Sequence, residues 1–374
     1  MAGIYIHIPF CKQACHYCDF HFSTNQKYVN EMTVALCEEI KLQHNYLEKE
    51  PINTVYFGGG TPSILSKSNL GAIFEAIHKY FNVKEGAEIT LEANPDDLTS
   101  EKLHDLYDLG VNRLSIGIQS FKEQVLQFLN RAHNRGQALS SVNEARNVGF
   151  NNISIDLIYG IPVNTHEDWV NDLDEIAQIR PEHISSYCLT IEPKTVFGHR
   201  AKKGTLSLKG EDFEAKQYDL LISKLKNIGY EHYEVSNFSL PGKHSRHNSS
   251  YWKQDKYLGI GPGAHSYNGN SRQFNISNNP KYISSLKQGN IPAEYEVLSR
   301  EDKVNEYLLT GLRTLWGVDL NYLKDIYNYD LKTLNDSYLK NLISNKFATL
   351  EANDLKLTEE GLLLADEISS SLFI

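Results

Sequence analysis

Ile4-Tyr5-Ile6-His7-Ile8-Pro9-Phe10-Cys11-Lys12-Gln13-Ala14-Cys15-His16-Tyr17-Cys18 runs from an apolar, strand-like segment directly into three cysteines spaced Cys-x3-Cys-x2-Cys. No fourth cysteine lies close enough in sequence to complete a square of ligands. Three thiolates on one short loop can face one corner of a 4Fe-4S cube and leave one iron open to an exchangeable ligand. A structural zinc or ferredoxin-type site is normally closed by a fourth protein ligand. The stretch therefore predicts a first β-strand whose carboxyl end carries an open iron centre.

Working outward, β-branched runs recur at Ile4 to Ile8, Thr54 to Phe57, Glu88 to Leu91, Arg113 to Ile118, Asn152 to Ile158 and His183 to Leu189, each followed by an amphipathic, helix-like stretch. Six βα units in succession predict an α/β protein with a parallel sheet and outer helices. Ligand-binding residues are then expected at the carboxyl ends of the strands. Gly58-Gly59-Gly60-Thr61-Pro62, Glu92-Ala93-Asn94-Pro95, Gln119, and Asp156 with Gly160-Ile161-Pro162 all fall there. Six strands are too few for a closed eight-stranded barrel, so an open, partial (β/α)6 TIM-like barrel with a wide mouth is expected.

Beyond it, Glu211 to Asn227 reads as a helix and Tyr230 to Phe238 as a strand. Periodicity then fails through a Gly, Pro, His and Asn-rich passage ending near Asn279, which reads as functional loop. From Glu301 the pattern turns helical at Glu301 to Thr314, Leu320 to Tyr327 and Leu331 to Ser344, with a hairpin at Phe347 to Leu357 and a last helix from Thr358. The expected organisation is a barrel over 1–240, an irregular linking segment over 241–300, and a small C-terminal α+β, winged-helix-like domain over 301–374.

The 374 residues, 41% hydrophobic and 22% charged, have an ordinary globular composition. Cys37 and Cys188 are left outside the motif, and no signal peptide is expected ahead of Ile4. A disulfide framework is thus disfavoured and a reducing compartment, the cytoplasm, expected. A formal net charge of -10 disfavours nucleic acid as partner. The winged-helix-like segment, with seven Lys or Arg against thirteen Asp or Glu over 301–374, disfavours it further. No apolar run approaches the roughly 18 residues of a membrane span, so work near a membrane is expected to be peripheral.

The bland alternative for the cysteines is a zinc knuckle closed by His16 or His21, at a spacing unusual for zinc fingers. Cys37, inside a helical pattern from Tyr28 to Lys41, reads as a small core residue.

The motif Ile8-Pro9-Phe10-Cys11-x3-Cys15-x-Tyr17-Cys18 resembles the signature of radical S-adenosylmethionine (SAM) enzymes, in which the SAM amino and carboxylate groups chelate the free iron. Across most of the chain, Tyr5-x-His7-Ile8-Pro9-Phe10-Cys11, Gly58 to Pro62, Glu92-x-Asn94-Pro95, Arg113-Leu114-Ser115-x-Gly117-x-Gln119-Ser120-Phe121, Asn130-Arg131 and Asp156 to Pro162 resemble oxygen-independent coproporphyrinogen III oxidase and its relatives. The resemblance implies a radical SAM barrel with Cys11, Cys15 and Cys18 as cluster ligands. It also implies SAM contacts at Tyr5, Tyr17, Asp19, Gly60, Thr61, Glu92, Gln119, Arg131, Asp156 and Thr190, some of them toward a second SAM.

Two departures point away from the oxidase. Phe20 stands where the oxidase has another cysteine, and the oxidase has a longer segment ahead of its cysteines. Both features resemble the sister family of haem chaperones, as does His247-Asn248-Ser249-Ser250-Tyr251-Trp252 followed by Gly259 to Ser266. That resemblance implies haem contact through His247, an imidazole suited to haem iron, with Tyr251 and Trp252 against the porphyrin. On the bland alternative, His247 and Asn248 satisfy loop backbone while Tyr251 and Trp252 plug the barrel.

The implied function is a haem chaperone that binds haem and a SAM-ligated 4Fe-4S cluster, without oxidase activity, and passes haem to an acceptor such as a membrane respiratory protein. The alternatives are radical SAM decarboxylation of coproporphyrinogen III, other radical SAM chemistry on tetrapyrroles, and a radical SAM methyltransferase.

Overall fold

The six expected strands are all present in the computed structural model, which describes residues 2–374. They are β1 (Ala2–Ile8), β2 (Ile52–Gly59), β3 (Val83–Ala93), β4 (Arg113–Gln119), β5 (Ile153–Tyr159) and β6 (His183–Cys188), paired in parallel in chain order. Their register sets Ile4 beside Val55, Val55 beside Ile89, Leu91 beside Leu114, Ile116 beside Ile155, and Ile155 beside Ile184. Side chains alternate between faces along a strand. In β1, Ile4, Ile6 and Ile8 join the apolar core with Met32, Leu36 and Ile40 of the first long helix, while Tyr5 and His7 turn to the opposite face. Helix starts are written locally: Ser66, Thr99, Asn134 and Thr165 each accept from a backbone N–H three residues on.

The helix Glu211–Asn227 forms as predicted. The following strand candidate splits into an antiparallel hairpin, β7 (Glu231–Glu234) and β8 (Asn237–Ser239), with β8 pairing against β6. The passage expected to be loop is ordered instead. It contains the helix Arg246–Trp252 and β9 (Lys256–Ile260), which adds in parallel to β1, then β10 (His265–Tyr267), β11 (Ser271–Asn275), the helix Asn279–Lys287, and β12 (Ala293–Val297). These strands are short and separated by glycines, four of which, Gly261, Gly263, Gly269 and Gly289, have positive φ. Among the described residues twelve strands form one sheet, ordered β12-β11-β10-β9-β1-β2-β3-β4-β5-β6-β8-β7. Its ends, β12 and β7, do not pair with each other, so the barrel is open.

The C-terminal residues fold around their own apolar cluster, which includes Val304, Leu308, Leu323, Leu342, Leu355 and Ile368. The element order is helix Arg300–Leu312, β13 (Val318–Asp319), helix Leu320–Tyr327, helices Leu331–Leu334 and Asp336–Ser344, β14 (Ala348–Glu351) and β15 (Asp354–Leu357). The expected single helix over 331–344 breaks at Asn335, whose φ of -119° and ψ of 25° leave the helical region. The antiparallel order β13-β15-β14 gives the winged-helix-like arrangement. The unit is joined to the barrel through backbone: Val235 N–H donates to Arg313 O and Leu315 N–H to Tyr233 O. Among the described residues no helix is long and apolar enough to cross a membrane.

Candidate functional site

The cysteine loop leaves β1 at Phe10 and is pinched at its base: Cys11 N–H donates to Ser23 O, and Ser23 N–H to Pro9 O, each 3.0 Å. One flank rests on the end of β2, where Gly60 N–H donates to Ile8 O at 2.8 Å and Thr61 N–H to Phe10 O at 2.7 Å. The other flank is held by His16 N–H on Leu129 O, Phe197 N–H on His16 O, and the Asn130 amide on Ala14 O at 2.7 Å. Asn130 itself is in the left-handed region at φ 58°.

The loop borders a cavity of about 520 Å³ at the carboxyl ends of the strands. That size lies within the range of small-molecule and cofactor sites. Cys11, Cys15, Tyr17, Cys18, Asp19, Gly60, Thr61, Glu92, Gln119, Arg131, Asp156 and Thr190 all line it. Thr61 Oγ1 donates to Cys11 Sγ at 3.4 Å. Arg131 Nη1 donates to Cys15 Sγ at 3.2 Å and to the Tyr17 hydroxyl at 3.4 Å, while Nη2 donates to Asn94 Oδ1 at 2.6 Å and Gly117 O at 2.7 Å. Burial pushes the Cys11 and Cys18 thiols up to about 11, partly offset at Cys11 by the Thr61 hydroxyl. A bound iron would have to draw off those protons.

The donor set fits a cube with one open iron better than a zinc knuckle. His16 Nδ1 donates to Phe128 O at 3.0 Å and its ring packs on Phe197. His21 Nε2 donates to Asn279 Oδ1 at 2.8 Å. Each histidine thus has one ring nitrogen engaged, and neither joins the cysteines in a ligand group among the described residues. Among the described residues no three His, Cys, Asp or Glu side chains converge on one ion, as a mononuclear site requires. Cys37 lies on the helix Val29–Leu42 and donates weakly to Ala72 O. Beside the thiols, Arg131 Nε is buried without a partner, a donor still to be satisfied in the cavity wall.

Two carboxyls mark the far wall. Glu92 accepts from the Tyr56 hydroxyl at 2.8 Å and from Gly59 N–H at 3.2 Å, and removal from water pushes it up to about 7. Asp156 accepts from Ser115 Oγ at 3.1 Å and is pushed up to about 6 by the same cause. Both are acceptors suited to sugar hydroxyls. Tyr56, Asn94, Ser115, Ser185 and Tyr187 line the cavity too. None of these five was expected as a site residue, although Ser185 and Tyr187 show the two-residue spacing of one strand face.

The glycines at the end of β2, expected as ligand contacts, also have a structural task. A Cβ at Gly60 would lie 2.6 Å from Phe10 O and 2.8 Å from Ile8 O, and one at Gly59, where φ is 106°, would meet the His7 ring at 2.5 Å. Their smallness lets the cysteine loop and β1 close onto β2.

Four of the selected residues stand outside the cavity wall. Tyr5 lies behind it, its hydroxyl on His7 Nδ1 at 3.2 Å and its ring stacked on Tyr56. His247 is 1% exposed because its segment folds as the helix Arg246–Trp252 and turns the imidazole inward. Nδ1 pairs with Thr54 Oγ1 at 2.8 Å, Nε2 with the Tyr251 hydroxyl at 2.9 Å, and Tyr56 stacks on the ring at 5.0 Å. Burial lowers its pKa to about 3, so the imidazole is neutral. Neither ring nitrogen is open to a metal in this conformation. Tyr251 packs edge-on against Tyr257, and the Trp252 ring lies under the Arg313 guanidinium. Their neighbour Asn248 does line the cavity.

Comparison with known proteins agrees with this geometry. The Radical SAM superfamily pattern matches residues 5–176 and the HemN C-terminal domain pattern residues 298–364. The chain is 35% identical over 371 residues to the heme chaperone HemW of Bacillus subtilis, covering 98% of each chain. It is 35% identical to the heme chaperone HemW of Lactococcus lactis, covering 97% of this chain and 95% of that one. The structure of Escherichia coli coproporphyrinogen III oxidase (HemN), a radical SAM enzyme, superposes with a TM-score of 0.86 at 23% identity, over 100% of this chain and 90% of that one, a likeness of fold. With a three-thiol loop on a radical SAM barrel and near-full-length relatives named heme chaperone HemW, the chain belongs to the heme chaperone HemW family.

Proposed function

We propose that this protein binds haem together with a SAM-ligated 4Fe-4S cluster and delivers the haem to an acceptor protein. The observation that carries the reading is the convergence of Cys11, Cys15 and Cys18 on one cavity, with no histidine joining them in a ligand group among the described residues, in a chain of the HemW family. Bound there, the cluster and SAM supply one-electron chemistry and an exchangeable coordination position. Thr61 and Arg131 orient two thiols and offset their charge, Glu92 and Asp156 accept from the nucleoside, and Gln119, Asp19 and Thr190 complete the wall.

For haem, His247 is the proposed iron ligand, with Tyr251 and Trp252 alongside. Ligation requires the His247 imidazole to leave Thr54 Oγ1 and the Tyr251 hydroxyl and to come out from under Tyr56. The two hydrogen bonds are of ordinary net worth, about 0.5–1.5 kcal/mol each. The site of action is proposed to be the cytoplasm, with a membrane-held haem protein as acceptor.

The fold likeness to HemN makes oxidative decarboxylation of coproporphyrinogen III the second reading. Against it, Phe20 takes the place of a further cysteine and is 73% exposed at the cavity mouth. The two separate in one anaerobic experiment: reconstituted protein with SAM and reductant is given haem or coproporphyrinogen III. A saturable Soret band without protoporphyrinogen supports the chaperone; turnover of coproporphyrinogen without haem uptake supports the oxidase.

A further inference from the structure

A second cavity, of about 220 Å³, opens at the opposite end of the barrel, where β1 and β2 begin. Ala2, Asn53 and Thr54 form its floor, the helix Arg246–Trp252 one wall, and Trp316 of the C-terminal unit another. The helix thus divides two chambers, with Asn248 on the cysteine side and Arg246, Ser249, Ser250 and Lys253 on this one. Three features suit an acidic, planar ligand.

Lys253 Nζ is held 4.3 Å from the centre of the Trp316 ring, a cation steadied by a π face. The Arg246 guanidinium donates to Gly86 O, and Arg246 and Lys253 outnumber the one carboxylate on the wall, Asp255. Ser249, 6% exposed, borders the chamber with its hydroxyl unpartnered, a buried donor that a ligand oxygen would satisfy.

His247 lies directly behind this chamber. Its Nδ1 partner Thr54 forms part of the floor, and Ser250 Oγ on the wall donates to His247 O at 2.7 Å. Toward the cysteine chamber, by contrast, Tyr56 and Tyr5 are stacked across the imidazole. The cavity is below the size of whole cofactor sites, about 300–1,000 Å³, but suffices for one edge of a macrocycle.

Resting on the haem reading above, we infer that this chamber receives the propionate edge of haem, with Lys253 and Arg246 facing the carboxylates, Ser249 donating to one of them, and Trp316 packing on the ring edge. Haem then approaches His247 from the end of the barrel away from the cysteines.

The test uses the full-length protein, Soret titration, and two probes, haem and haem dimethyl ester, whose propionates carry no charge. Lys253 is exposed, so Lys253→Glu should fold, which circular dichroism checks. The inference predicts at least tenfold weaker haem binding by Lys253→Glu, equal binding of the dimethyl ester by both proteins, and no change in Lys287→Glu, an exposed lysine elsewhere. Haem binding by Lys253→Glu equal to wild type, or an equal loss in Lys287→Glu, overturns the chamber while the haem reading stands. Failure of the wild-type protein to take up haem overturns both.

Discussion

Arg131 joins four parts of the site, bonding Cys15, Tyr17, Asn94 and the Gly117 carbonyl through one planar fork. A lysine offers a point charge and cannot span these acceptors. Arg131→Lys is therefore expected to lose about 1–3 kcal/mol of unfolding free energy, because acceptors near the thiols are left unpaired. Urea unfolding reads this, and iron content after reconstitution should fall with it; unchanged stability and iron loading would show that the fork is dispensable. At His247 the expectation has the opposite sign. Tyr251→Phe keeps the ring against Tyr257 but frees Nε2, so haem association should quicken by about two- to tenfold, the worth of one hydrogen bond. An unaltered rate by stopped-flow absorbance would mean His247 does not meet the iron.

At the scale of elements, the end of β2 docks the cysteine loop, and Gly60 has no room for a methyl group there. Gly60→Ala must push the Phe10 and Ile8 carbonyls away, with a cost of about 1–3 kcal/mol and loss of cluster loading, measurable by thermal unfolding and bound iron. The parallel strands were legible because their apolar runs are long and regularly followed by helices. The segment 241–300 was not, because β9 to β11 are three to five residues long and are completed only by pairing with the distant β1 or with each other.

What anchors that segment was equally hidden. Glu39, on the helix Val29–Leu42, is wholly buried and accepts from Gly261 N–H, the Asn275 amide and the Tyr282 hydroxyl. Nothing in the local sequence singles out one glutamate of a helix for this role. Burial pushes Glu39 up to about 7 from 4.5. Folded protein thus keeps the proton where unfolded chain loses it, so the contribution is full below about pH 4.5 and declines as pH rises through 7. Relative to Glu39→Gln, wild-type unfolding free energy should fall between pH 5 and 8. A pH-independent difference would show that Glu39 ionises normally.

At the scale of the molecule, the motif chemistry and the three-dimensional partition diverge in one respect. The cysteines and the strand-end residues Glu92, Gln119 and Asp156 could be placed together from sequence, because carboxyl ends of parallel strands share one face, whereas Arg131, which follows the helix Glu123–Leu129, was expected there only through the family resemblance. The His247 segment could not be placed, since only its folding as a helix between two chambers turns the imidazole away from the cysteines. The C-terminal unit, acidic and winged-helix-like, supplies Trp316 to one chamber and joins the barrel through β7.

Whether this radical SAM scaffold serves to carry haem is tested most directly by titrating haem into anaerobically reconstituted protein and into its His247→Ala variant while following the Soret band. Saturable uptake of one haem per chain is expected, weakened about tenfold or more in the variant. No saturable uptake, or binding indifferent to His247, would contradict it.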